Sequence, residues 1–242
     1  LFVDGRYTIQ AQQESAKNFK IIELYKKLPH SIIKGYNLGY DPKLFTSNNI
    51  KKYFLNNNLV SVNENLIDQL FKFKENNSKP FFSLQKKIVG ESHQSKIIKV
   101  TNFLKQNKAD YLFTSAPENI AWLLNIRGQD SNFTPIPNSY LSIDRHKKIN
   151  LFCDLRKIKS SFKKKLNQIK IIDIKNTSIL LSRIKNKKVS IDSSTCSIHF
   201  ENIIRKNNKI NGLYDPIYFL KSIKSDKEIK NTVKSHIVDG AA

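Results

Sequence analysis

Methionine is missing from all 242 residues, and the chain opens at full stride on LFVDGRYTIQAQQE. Translation starts on methionine, so the expectation is that residue 1 is a processing product or that the front has been cut away. Long apolar runs are missing too. Nothing approaches the ~20 consecutive apolar residues that cross a bilayer, so no membrane partner is expected. No basic-then-apolar leader stands at the front, although a shortened start would hide one. Cysteine is limited to Cys153 and Cys196, with no CxxC and no Cys/His spacing. That reads as two reduced, buried thiols in a cytoplasmic protein, rather than as a disulfide or a zinc site. Glycine is scarce, at seven, and forms neither GxGxxG nor GxxxxGK[ST], so no phosphate cradle is expected. No GxSxG marks a serine nucleophile. The five histidines (His30, His93, His146, His199, His236) stand tens of residues apart without HxxxH, so no metal site is expected within the chain.

What is abundant is lysine. The formal net charge is +22, yet only six of the 42 basic residues are arginine. Nucleic-acid recognition favours the flat, bidentate guanidinium, and these lysines are spread among asparagine and isoleucine, so no specific nucleic-acid partner is expected. The short runs Lys163–Lys165 and Lys185–Lys188 read as solvated faces rather than grooves. With 39% hydrophobic and 10% aromatic residues the chain has enough apolar surface to bury a core.

Periodicity alternates between strand and helix. Strands are predicted at 1–4, 37–40 and 59–62, with helices over 7–16, 47–56 and the segment bearing Leu66 and Leu70. KFKENNSKPFFSL, polar and proline-interrupted, reads as an interdomain linker. A second series follows: helix over 91–108, strand 110–114, a helix opened by SAPE as a capping box, and a hairpin of 139–143 with 150–154. Helices at 157–167, 176–185 and 197–206 then alternate with strands at 169–173, 188–192 and 209–213. SDKE opens a last helix with Ile229, Val233 and Ile237 at spacing four and nothing to pack on. The pattern is α/β.

Several stretches carry a resemblance. LFVDGRYTIQAQQE, GYDPKLFT, NENLIDQLF, IAWLLNIRGQD with the following Pro137, Ser139 and Tyr140, and LKSIKSDKEIKNTVKSHIVDGAA stand in order along the chain. Together they resemble the amino-terminal region of the three-domain Xaa-Pro aminopeptidases, in the creatinase-like "pita-bread" metallopeptidase group. The resemblance implies two consecutive creatinase N-terminal-like α/β domains with a ribonuclease H-like motif. The first, 1–85, would be partial; the second would be 86–222. Residues 223–242 would be the first helix of a missing α+β pita-bread catalytic domain. LYKKLPHSIIKGYN replaces a longer insert of many members, so that edge of the first domain is expected to be trimmed.

The resemblance also implies a function for the full-length protein: removal of the first residue from short Xaa-Pro peptides by two divalent metals, usually manganese. The two aspartates, one histidine and two glutamates that hold those metals would follow Ala242, so no catalytic or metal residue is assigned here and the segment alone is expected to be inert. A homodimer is expected for the intact enzyme. The one substrate-binding candidate is Arg6, the arginine of DGRY; it either contacts bound peptide or pairs with Asp4 across the turn. Trp122 is read as core, Arg127 and Asp130 as an internal ion pair, and His236 as a packing or capping residue. The alternative is a stand-alone, non-catalytic creatinase-like module that binds peptide or protein.

Overall fold

Local turn chemistry at Asp4 and Thr46 starts two of the helical elements of the first part of the chain. The computed structural model describes residues 1–70 and 79–241, so the first part of the expected linker, 72–78, lies outside the described residues. The chain divides into two compact units, Leu1–Lys72 and Phe73–Ala242. In the first, β1 (Phe2–Val3) is followed by a 3₁₀ turn over Gly5–Tyr7 that leads into α1 (Thr8–Glu14). Strand β2 (Ile22–Glu23) returns parallel to β1, with Phe2 opposite Ile22. A second parallel pair, β3 (Asn37–Tyr40) and β4 (Asn58–Ser61), is bridged by α2 (Ser47–Phe54). Thr46 caps α2 by accepting the Asn49 N–H at 3.2 Å. Tyr40, Phe45 and Phe54 stack edge to face behind the strands. α3 (Leu66–Leu70) closes the described part of the unit. Its core is thin: Ala11, Pro29 and Ile50 are the buried residues among those described.

The second unit is built differently, around a six-stranded mixed sheet. Its elements are β5 (Phe82–Ser83), α4 (Lys86–Val89), α5 (His93–Gln106), β6 (Tyr111–Thr114), α6 (Pro117–Leu124), β7 (Ile126–Arg127), β8 (Ser139–Asp144) and β9 (Ile149–Cys153). They are followed by α7 (Ser160–Lys165), β10 (Ile169–Asp173), α8 (Thr177–Ser182), β11 (Lys188–Ser190), α9 (Ile198–Arg205), β12 (Lys209–Asn211), α10 (Pro216–Ser222) and α11 (Asp226–Gly240). The sheet order is β10-β9-β8-β6-β11-β12. The predicted hairpin is β8–β9, and the alternating helices carry the parallel pairs β9/β10, β6/β11 and β11/β12. Successive strand residues face opposite ways, so Leu112 and Leu141 join a cluster with Val100 and Leu104 of α5 and Ile120 and Leu123 of α6. Phe113 and Val189 face the other side, against Leu181 of α8 and Ile204 of α9. The result is a sheet covered by helices on both faces, as burial of parallel strands requires. Residues 82–83 pair with β7 inside this second unit.

The two expected capping boxes differ in outcome. At α11 the box forms: Ser225 N–H donates to Glu228 Oε2 at 2.9 Å, and Glu228 N–H donates back to Ser225 Oγ at 3.4 Å. At SAPE it does not. The N-cap of α6 is Ala116, with no side-chain cap; Ser115 Oγ instead donates to the Thr195 carbonyl at 2.9 Å, and Glu118 accepts the Tyr218 hydroxyl at 2.6 Å. Tertiary partners outcompete the local box, and Pro117 removes one N–H that would have needed it. The expectation that α11 packs on nothing also needs correction. Its first turns rest on α4, where Asn231 Nδ2 donates to the Ile88 carbonyl at 3.0 Å. Gly90, at φ +75°, lies so close to Ser225 that a Cβ there would sit 2.4 Å from Ser225 Oγ. Beyond that footing Ile229, Val233, Ile237 and Val238 are exposed.

Candidate functional site

Arg6 stands where the DGRY turn leaves β1. Asp4 makes that turn by accepting the Arg6 backbone N–H at 3.0 Å, and it also accepts from Arg6 Nε at 2.9 Å and Nη2 at 3.5 Å. The pairing with Asp4 is therefore present. Both side chains remain exposed, at 79% and 52%, so the guanidinium stays accessible. Its bond with Arg6 holds the Asp4 carboxyl below its ordinary range, and the Arg6 guanidinium is raised in return. Of the five N–H donors of a guanidinium, Asp4 engages two.

The IAWLLNIRGQD block forms a clamp in the second unit. α6 ends on Asn125 in the left-handed region (φ 55°), a conformation its short polar side chain tolerates. Asn125 Nδ2 donates to the Glu91 carbonyl at 2.9 Å, while its Oδ1 accepts from Lys96 Nζ at 2.7 Å. Lys96 also donates to the Trp122 carbonyl at 2.9 Å and lies 4.0 Å from the Trp122 ring centroid. Lys96 is 1% exposed. Burial pushes Lys96 down to about 8, although Glu228 and Glu91 oppose the shift. Trp122 packs against the core, and its buried Nε1 has no hydrogen-bond partner among the described residues.

The expected Arg127–Asp130 ion pair does not form. Arg127 Nη1 turns back to the Ala121 and Ile126 carbonyls at 3.0 and 2.8 Å. Asp130 instead pairs with Lys157, which is buried, and accepts the Asn138 N–H at 2.6 Å. Arg127 is fixed by β7, whose pairing with β5 turns its side chain toward the end of α6; Asp130 lies beyond the Gly128 turn. That turn is tight: a Cβ on Gly128 would meet the Ile136 carbonyl oxygen at 2.7 Å. Lys157 stands 27 residues from Asp130, and nothing local in the sequence signals the pair.

A second polar cluster, unforeseen from the sequence, closes the carboxyl ends of β6 and β11. Asp215 Oδ2 accepts from Thr114 Oγ1 at 2.7 Å and Asn119 Nδ2 at 2.9 Å, and Oδ1 accepts the Ile217 N–H at 2.9 Å. Burial raises the Asp215 carboxyl, and these hydrogen bonds oppose the rise. Asp192 accepts the Asp215 N–H at 3.2 Å. Lys221, in the LKSIKSDKE passage, donates to Asn119 Oδ1 at 2.6 Å and sits 4.3 Å from the Tyr218 ring centroid. With its oxygens spent on partners inside the unit, Asp215 anchors α10 to the sheet.

Among the described residues no group of three or more His, Cys, Asp or Glu side chains could hold a metal ion. His30 and His199 are engaged by the Lys52 carbonyl and the Ser178 hydroxyl, each at 3.0 Å. His236 lies exposed on α11. Cys153 and Cys196 are free and buried, and burial pushes both thiols up to about 12. No helix among the described residues is long and apolar enough to cross a membrane.

Comparison with known proteins places this geometry. The profile described as Creatinase/Prolidase N-terminal domain matches residues 73–228, the sheet unit with its clamp and the Asp215 cluster. The chain is 29% identical to Xaa-Pro aminopeptidase 1 of Dictyostelium discoideum, over all of this chain and 42% of that protein. It is 31% identical to Xaa-Pro aminopeptidase ApepP of Drosophila melanogaster, over all of this chain and 43% of that protein. It thus spans about two-fifths of the length of these relatives. The X-prolyl aminopeptidase of Caenorhabditis elegans, described as a cytosolic enzyme with a di-nuclear active site, superposes with a TM-score of 0.82 over 97% of this chain and 42% of its own, at 23% identity. A profile match over more than half its length, on a mixed α/β unit of the matching fold, makes the chain a member of the creatinase/prolidase N-terminal domain family.

Proposed function

We propose that this chain is the non-catalytic amino-terminal part of a cytoplasmic, metal-dependent Xaa-Pro aminopeptidase that removes the first residue from short Xaa-Pro peptides and works as a homodimer. The observation that carries the reading is the alignment of the entire chain with Xaa-Pro aminopeptidases of which it covers about two-fifths. Two manganese ions would belong to the remainder of such an enzyme; the donor sets of the described residues do not fit them. In the whole enzyme, 73–222 supplies a rigid groove-lining scaffold, and α11 leads into the catalytic domain. Arg6 contacts the peptide. A guanidinium held by Asp4 through Nε and Nη2 is oriented without being consumed, and its remaining donors can grip a carbonyl or carboxylate.

The test uses the complete product of the gene. It should release the first residue of Xaa-Pro peptides with manganese and lose that activity to a chelator, whereas the 242-residue chain should release nothing. Release by the 242-residue chain itself would overturn the assignment. Arg6→Ala in the complete enzyme should lower kcat/KM for peptide by about tenfold or more, the scale of a lost charge-assisted contact, with an unchanged melting temperature. Unaltered kinetics would remove Arg6 from the site.

A further inference from the structure

The lysine run at 185–188, expected to be a solvated face, lines a concavity. A cavity of about 680 Å³ opens at the amino-terminal ends of β11 and β12, beside the carboxyl end of α9. Six of its ten lining residues are basic: Lys185, Lys187, Lys188, Arg205, Lys206 and Lys209. Across the chain 42 of 242 residues are basic, so the lysine-rich composition does not account for the concentration. Its single acid, Asp110, is already taken by Arg145 at 3.4 Å and by the Lys188 N–H at 2.9 Å.

Part of this charge has an internal reason. Arg205 pairs with Glu201, and Arg205 and Lys206 complement the carbonyl end of α9. The rest has none. Among the described residues the ammonium groups of Lys185, Lys187 and Lys209 make no hydrogen bond or ion pair. Lys188 and Lys209 stand directly opposite each other across the parallel β11/β12 pair. Like charges held side by side repel, and a concave wall focuses their field.

We propose that this cavity binds a compact oligophosphate anion. Several phosphates in a row match several ammonium groups, and one multivalent anion relieves the repulsion among all of them. Among the described residues the lining carries no aromatic side chain on which a nucleobase could stack, and Arg205, already paired, is its only guanidinium. The ligand is thus the bare phosphate chain and not a nucleotide or nucleic acid.

The test is titration of the 242-residue chain with inorganic tripolyphosphate by calorimetry at 0.15 M salt, with ATP in parallel without magnesium. Tripolyphosphate should bind at one site, and ATP no more tightly. Lys187→Glu with Lys209→Glu, both exposed positions, should weaken tripolyphosphate binding at least tenfold. Lys163→Glu with Lys164→Glu, an equal charge reversal on the exposed face of α7, should weaken it less than threefold. Equal losses in the two double variants would overturn the proposal in favour of a general net-charge effect. Absence of saturable tripolyphosphate binding, or tighter binding of ATP, would overturn it as well. None of these readings depends on the peptidase assignment.

Discussion

Replacing Lys96 with methionine should remove a pH dependence of stability that this one ammonium creates. The unfolded lysine titrates near 10.5, whereas burial lowers the folded group to about 8. Between those values the unfolded chain binds the extra proton, so stability rises with pH across the window of about 8 to 10.5. Below about pH 8 both states are charged and the full penalty is present; above 10.5 it has gone. At about 1.4 kcal/mol per tenfold change in proton affinity the shift corresponds to about 3 kcal/mol. Solvent screening at the edge of the cluster discounts this to roughly 2 kcal/mol. Methionine keeps most of the volume under Trp122 but leaves the Trp122 carbonyl and Asn125 Oδ1 without their donor, at about 1–3 kcal/mol. At pH 7 the lost donor and the lost charge penalty nearly offset, so Lys96→Met should lie within about 1 kcal/mol of the parent. At pH 10.5 it should be about 2 kcal/mol worse relative to the parent than at pH 7. Urea unfolding of both proteins at the two pH values measures this. Cys153, Cys196 and the raised tyrosines also titrate at high pH, with the opposite sign, but they are common to both proteins and cancel in the difference. A parent-minus-variant difference that does not change with pH would refute the reasoning.

Three further outcomes follow from the geometry. Gly128→Ala drives a Cβ into the Ile136 carbonyl and Pro137 backbone and should cost about 1–3 kcal/mol in denaturant melts, whereas Gly212→Ala, with open space around it, should be neutral or slightly stabilising. Cys153 and Cys196 should resist a thiol-specific chromogenic reagent at pH 8 in the native protein and react at once in denaturant; rapid native labelling would contradict their burial. Ser225→Ala removes the capping box of α11 and should cost about 1 kcal/mol locally, seen as faster amide exchange over 226–231 with α5 unchanged.

The alternation of strand and helix, the 139–154 hairpin and the SDKE cap were all legible in residue order, because each is specified by neighbours within a few positions. DGRY and IAWLLNIRGQD pointed to a family for the same reason, as short strings with fixed local shapes. The failures share one cause. SAPE reads as a capping box until Tyr218, a hundred residues on, takes Glu118. Arg127 and Asp130 read as an ion pair until β7 and Lys157 separate them.

Composition, periodicity and caps thus determined which segments are helix or strand and that the chain is α/β. Only the tertiary structure decided which charges are buried, which are paired and which are left facing one another. It buried Lys96 under Trp122, used Asp215 to tie α10 to the sheet, and gathered Lys185, Lys187 and Lys209, whose ammonium groups have no partner among the described residues, around one cavity. The physical reason is range. Backbone propensity and capping act over a turn or two of chain, whereas desolvation and charge pairing depend on which distant segments the sheet order brings together.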